Sequence, residues 1–160
     1  MPYFLEVVRS SQLKLFHVVG NGDYYVDLPG YKKTLEVAGQ DPQRLETVNS
    51  DPVRDNLYKF KREFSVHGTH NAEDIARGFA NMDFYKTTRP QDDEYICKNS
   101  HQLFQVCKKE GINHLIYTGF AINACLTFSP GGMFDMMKHG VMCSAIRQAV
   151  TAVENKESAR

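Results

Sequence analysis

The chain has 160 residues, of which 42% are hydrophobic and 24% charged, with 19 Lys+Arg balanced by 19 Asp+Glu. One domain with a sizeable core is expected at this length, and the even charge excludes a basic footprint for nucleic acid or for an anionic membrane. Apolar runs fall short of the roughly 18 residues of a transmembrane helix, and the start lacks the basic and small-residue marks of a signal peptide.

The four cysteines, Cys97, Cys107, Cys125 and Cys143, show neither CxxC spacing nor a small-scaffold disulfide pattern. Reduced thiols in a cytoplasmic protein are therefore expected. Residues 3–11 predict a helix with Phe4, Leu5, Val7 and Val8 on one face, and LKLFHVV at 13–19 predicts a short buried strand. Gly20, Asn21 and Gly22 end that strand. From 23 to 55, polar residues and Pro29, Gly30, Gly39, Pro42 and Pro52 predict a long irregular excursion with one helical turn, of the kind that shapes a pocket or a subunit contact.

Over 54–64, basic residues alternate with Leu57, Tyr58, Phe60 and Phe64; helix and strand compete there, with helix preferred. Gly68-Thr69 marks a turn and Asn71 an N-cap, with Glu73 and Asp74 in the first turn of the helix that follows. His67 and His70 flank that turn, and with no third ligand nearby they read as loop residues rather than a metal site. Residues 82–86 predict a short strand, and Pro90 with the acids at 92–94 a loop. Residues 96–109 then predict a helix with Leu103, Phe104, Val106 and Cys107 inward and Gly111 as its C-terminal cap.

The stretch 111–129, GINHLIYTGFAINACLTFS, organises the rest. It predicts a buried strand over 113–119, a tight turn over 120–124, and Cys125 at the mouth of a helix. Such a turn presents a side chain at the carboxyl edge of a parallel sheet, and helix-terminal amides favour a thiolate. Alone, Cys125 reads as a packed thiol; within TGFAINAC it reads as a nucleophile or the vestige of one. Cys97, Cys107 and Cys143 read as core. A Met-rich helix over 128–138 contains or follows Pro130-Gly131-Gly132, a last strand runs over 141–146, and 150–156 forms a closing helix or tail. The alternation of helix and strand predicts an α/β fold with a mainly parallel sheet and helices on both faces.

These segments resemble the isochorismatase-like cysteine hydrolases. GINHLIYTGFAINAC is similar to that family's glycine-isoleucine start, apolar strand, Thr-Gly and Ala-x-x-x-Cys ending. FLEVVRSSQLKLFHVV resembles its first helix and second strand, with Arg9 and His17 at familiar places. HGTHNAED resembles its Gly-Thr-x-Gly-Ala-Glu segment, and GVMCSAIRQAVTA its last strand and turn. The resemblance implies a three-layer α/β/α sandwich and hydrolysis of a small amide, carbamoyl or ester-type substrate through a thioester on Cys125. It further implies an oxyanion hole from the amides of Ala121 and Cys125, a cis peptide between Phe120 and Ala121, and a homo-oligomer; no cofactor is expected, and no metal, because His67 and His70 do not stand where nicotinamidases of that family place their Asp/His ligands.

The family's lysine is best matched by Lys86 in DFYKTTRP, with Lys98 as the alternative. Phe120, Asn123 and Phe128, with Phe134, Tyr24 and Tyr25, are the residues expected to line a substrate pocket. Three departures stand out. No Asp-x-Gln-like strand precedes the first helix, so the family's general-base aspartate and its central first strand are missing. Arg147 replaces the aspartate after the last strand, and Ala121-Ile122-Asn123 replaces Ala-Thr-Asn. Three readings stay open: a start placed too far downstream, an upstream strand supplied by a partner chain, or a non-catalytic remnant acting as a binding or scaffold protein.

Overall fold

The structure, a computed structural model, describes residues 2–42, 46–64 and 72–154. In chain order its elements are α1 (Pro2–Arg9), β1 (Phe16–Val18), α2 (Pro29–Ala38), α3 (Pro52–Phe64), α4 (Ala72–Ala80), a 3-10 turn (Lys86–Thr88), β2 (Tyr95–Cys97), α5 (Ser100–Glu110), β3 (His114–Gly119), α6 (Cys125–Phe128), α7 (Met133–Lys138) and β4 (Met142–Val150). They fall into two compact units, Met1–Pro42 with Phe84–Arg160, and Gln43–Asp83. No helix among the described residues is long and apolar enough to cross a membrane.

The first unit is of the α/β class. β1 pairs parallel with β2 in the register Phe16↔Tyr95, His17↔Ile96, Val18↔Cys97. β3 pairs parallel with β4 from His114↔Met142 to Tyr117↔Ala145, then shifts register to reach Gly119↔Val150. One core serves both pairs: Tyr95 and Cys97 of β2 and Leu115 and Tyr117 of β3 pack with Leu103, Val106 and Cys107 of α5, Met136 of α7 and Val141. The expected single sheet within a three-layer sandwich is corrected here. Among the described residues β1 bonds only to β2 and β3 only to β4, giving two two-stranded sheets.

The α2 and β2 regions differ from expectation for identifiable reasons. The excursion over 23–55 contains the ten-residue helix α2, with Pro29 in its first turn and Gly30, Tyr31, Thr34 and Ala38 buried. Gly30 lets α2 approach the chain leading into β2: a Cβ there would lie 2.0 Å from the Glu94 carbonyl oxygen. The helix expected from residue 96 begins only at Ser100, because Tyr95, Ile96 and Cys97 are wholly buried as β2. Asn99 then caps α5, its side-chain oxygen accepting from the Gln102 amide at 2.9 Å. Gly111 closes α5 as expected, in the left-handed conformation at φ 69°.

Residues 82–85 form no strand, since no ladder partner lies beside them among the described residues, and they lead into the 3-10 turn. The helix expected over 128–138 is two pieces, α6 and α7, interrupted by Ser129-Pro130-Gly131-Gly132, where Gly131 has φ 82°. β4 runs to Val150, four residues beyond the predicted end, and residues 151–154 carry no regular structure. In the second unit α3 and α4 are helical as expected, with Glu73 and Asp74 in the first turn of α4. His67, Gly68, Thr69, His70 and Asn71 lie outside the described residues.

Candidate active site

β3 delivers the chain to Gly119, whose φ of 112° suits glycine alone. The Phe120–Ala121 bond that follows is cis, as the resemblance implied. Ala121 is buried, and its carbonyl accepts from the amides of Ala124 at 3.1 Å and Leu126 at 3.0 Å. The Ala124 carbonyl accepts from Thr127 at 3.1 Å and Phe128 at 2.8 Å, and the Thr127 hydroxyl bonds the Ile122 carbonyl. The Ile122 amide donates to the Thr151 carbonyl at 2.8 Å, and the Thr151 amide to Gly119 at 3.1 Å. From Phe120 to Cys125, the amides of Ile122 and Ala124 are thus satisfied. Among the described residues, those of Phe120, Ala121, Asn123 and Cys125 donate no hydrogen bond, and Ala121 and Cys125 are the two expected to face an oxyanion.

Cys125 is exposed and is the first residue of α6. That helix has only four residues, so it adds little dipole, and individual amides define the thiol's surroundings. The other cysteines behave as core. Burial pushes the thiols of Cys97 up to about 12 and Cys107 up to about 11. Burial likewise raises Cys143, whose sulfur faces the carbonyls of Met133 and Val141.

The loop after α6 gathers the carboxyl ends of three strands. The Tyr117 hydroxyl of β3 donates to the Gly131 carbonyl at 2.9 Å. A Cβ on Gly131 would lie 3.2 Å from Val18 Cγ1 and 3.6 Å from the Asn99 carbonyl. Lys98, next to Asn99 and directly after β2, therefore stands at the edge that presents Cys125. Its ammonium lies 3.7 Å from Asp41 Oδ2, which also accepts from Asn99 Nδ2 at 3.0 Å. Burial pulls the Lys98 pKa down, but the Tyr31 phenol and Asp41 outweigh it and the net shift is upward, so the lysine stays charged. Lys86 instead sits exposed on the 3-10 turn rather than at a strand end.

Of the expected pocket residues, Phe120, Phe128 and Phe134 are exposed, with the rings of Phe128 and Phe134 5.8 Å apart. They make an open apolar surface rather than a closed pocket. Asn123 is engaged by main chain: its Nδ2 donates to the Val153 carbonyl and its Oδ1 accepts from the Val153 amide, both at 2.9 Å. Tyr25 belongs to a second core cluster with Val19, Tyr31 and Ile96, against which Tyr24 packs. Cavities of about 500 Å³, beside Glu36 and Gln105, and about 160 Å³, beside Arg9 and Glu94, are not lined by Cys125. Among the described residues no group of three His, Cys, Asp or Glu is placed to hold a metal ion.

One polar cluster has no counterpart in the sequence reading, where Glu94 is only a loop acid. Arg9 Nε and Nη2 donate to the two Glu94 carboxylate oxygens at 2.5 and 2.9 Å, and His17 Nε2 lies 2.7 Å from Oε2. The Gln91 amide donates to the same oxygen at 2.9 Å. Burial works against the Glu94 charge, but Arg9, Gln91 and His17 outweigh it and hold the carboxyl at about 2. A carboxylate so engaged cannot serve as a general base. Its signal in the sequence is an acid abutting the apolar run Tyr95-Ile96-Cys97.

No protein-family model, curated protein or solved structure matches this chain.

Proposed function

We propose that this chain carries the nucleophile half of an isochorismatase-like cysteine hydrolase acting on a small amide, carbamoyl or ester-type substrate in a reducing, cytoplasmic setting. The observation that carries this reading is that the amides of Ala121 and Cys125, the two the chemistry would use, are left unbonded in the turn beside an exposed thiol. The Cys125 sulfur adds to the substrate carbonyl carbon, and the carbonyl oxygen takes up negative charge against the two amides. The tetrahedral species collapses by breaking the bond to the leaving nitrogen or oxygen, which departs with a proton. Water then cleaves the thioester and regenerates the thiol. Amides fixed before the reaction lower the barrier because they need not reorganise.

Lys98 is the better choice of functional lysine, since it follows β2 at the sheet edge and keeps its charge. The three-layer fold needs one further parallel strand between β1 and β3, and such a strand would end at the edge where a carboxylate base is required. In a chain that lacks that base, acyl transfer to Cys125 would outrun hydrolysis of the thioester. The exposed Phe120, Phe128 and Phe134 favour association into a homo-oligomer, which light scattering across a concentration series would detect.

The test is treatment with p-nitrophenyl acetate, followed by peptide mapping. A persistent acetyl group on Cys125, formed faster than on a small thiol and absent in Cys125→Ser, is the expected result. Acylation no faster than that of a small thiol would remove the reading. It would leave the alternative, a non-catalytic binding or scaffold protein, which the open surface around Cys125 also fits.

A further inference from the structure

We infer that Asn123 is the positioning residue of the Cys125 turn, seating it on the segment that continues β4; this rests on the reading of Cys125 as a nucleophile. Asn123 uses both ends of its side-chain amide on one residue, donating to the Val153 carbonyl and accepting from the Val153 amide, each at 2.9 Å. Two main-chain bonds precede that pair, Ile122 N–H to Thr151 at 2.8 Å and Thr151 N–H to Gly119 at 3.1 Å. The four bonds alternate along the turn and along 151–153, so the segment beyond β4 acts as a fourth side of the turn. β4 itself shifts register before Val150, and that shift brings 151–153 alongside residues 119–123 rather than past them.

The placement has a chemical consequence. The amides of Ala121 and Cys125 lie two residues to either side of Asn123, and neither is held by a bond of its own. Their direction depends on the backbone between them. Of the side chains in the 120–124 turn, Asn123 is the one that bonds outside it. An asparagine suits this task because its donor and acceptor meet a peptide N–H and C=O with the geometry of another peptide.

The experiment compares Asn123→Ala, Asn123→Asp and Val153→Pro in the full chain. Two reactions of Cys125 are followed: acylation by p-nitrophenyl acetate, which develops an oxyanion, and alkylation by iodoacetamide, which does not. Asn123→Ala is expected to slow acylation about tenfold, less than the 100- to 1000-fold for losing an oxyanion donor outright, while alkylation stays within about twofold. Val153→Pro removes the N–H that Asn123 Oδ1 accepts and is expected to do the same. Asn123→Asp keeps the acceptor and is expected to recover part of the rate.

Equal loss in both reactions, or in neither, overturns the positioning role. Amide exchange provides the second arm: in Asn123→Ala the amides of Ile122 and Thr151 should exchange faster, while that of Cys143 in the β3–β4 ladder should not. No such rise overturns the inference. A rise without any acylation advantage of wild-type Cys125 over a small thiol overturns the hydrolase reading and, with it, the catalytic part of this inference.

Discussion

Replacing Glu94 by glutamine keeps the size of the side chain and an acceptor for the Gln91 amide, but removes the charge that Arg9 and His17 share. The Glu94 side chain is 6% exposed and that of Arg9 19%, so solvent screens their pairing little. The Glu94 carboxyl is lowered from 4.5 to about 2 on folding, a net outcome in which the partners exceed the burial penalty. A shift of that size corresponds to about 3 kcal/mol of stability at neutral pH, within the range for breaking a buried pair from one side. The group is an acid with a depressed pKa, so this stability is complete above about pH 4.5 and is lost as pH falls towards 2. His17 is lowered by burial, so the unfolded chain takes up its proton first, and a separate loss begins below about pH 6.5. Urea unfolding at pH 7, 5 and 3.5 separates the two. Glu94→Gln should be about 3 kcal/mol less stable at pH 7 and should have a flatter profile below pH 5. A variant within about 1 kcal/mol of wild type at pH 7, or one with the same acid slope, would refute the reasoning.

Three further outcomes follow from the packing and the site. Gly30→Ala places a Cβ 2.0 Å from the Glu94 carbonyl oxygen, a contact between two main chains that no rotamer relieves. It should destabilise by about 3 kcal/mol or more in the same urea assay. Asn99→Ala removes the N-cap of α5 and should lower stability by about 1 kcal/mol, read from thermal unfolding. Lys98→Met should slow acylation of Cys125 roughly 10- to 100-fold, whereas Lys86→Met should leave the rate unchanged.

The legible parts of the fold were those with strong local signals. Phe4, Leu5, Val7 and Val8 announce α1, Leu103, Val106 and Cys107 announce the buried face of α5, and Gly111 marks its end. His114–Gly119 and the turn to Cys125 were legible because an apolar run, Thr-Gly and a spaced cysteine coincide. Other elements were hidden by tertiary effects. α2 escapes a local reading because its buried face, Gly30, Tyr31, Thr34 and Ala38, sets one large apolar residue among small and polar ones, which shows no helical stripe. β2 escaped because three residues next to an amphipathic helix read as part of that helix until β1 is seen beside them. The Arg9–Glu94–His17 cluster joins positions up to 85 apart in sequence, a distance that no local pattern spans. In sequence Asn123 reads as a pocket residue because its partner, Val153, lies 30 residues on. The choice of Lys98 over Lys86 rested on where β2 ends.

The most direct measurement of the central claim is a nuclear magnetic resonance titration of the ¹⁵N-labelled chain with acetaldehyde. The aldehyde adds to a thiol to give a tetrahedral thiohemiacetal whose oxygen occupies the place of the oxyanion. An adduct on Cys125 should move the amide resonances of Ala121 and Cys125 more than those of Ile122 and Leu126, which are already bonded to Thr151 and Ala121. If the adduct forms and the amides of Ala121 and Cys125 do not respond, or if Cys125 forms no adduct where a small thiol does, the turn is not an oxyanion site.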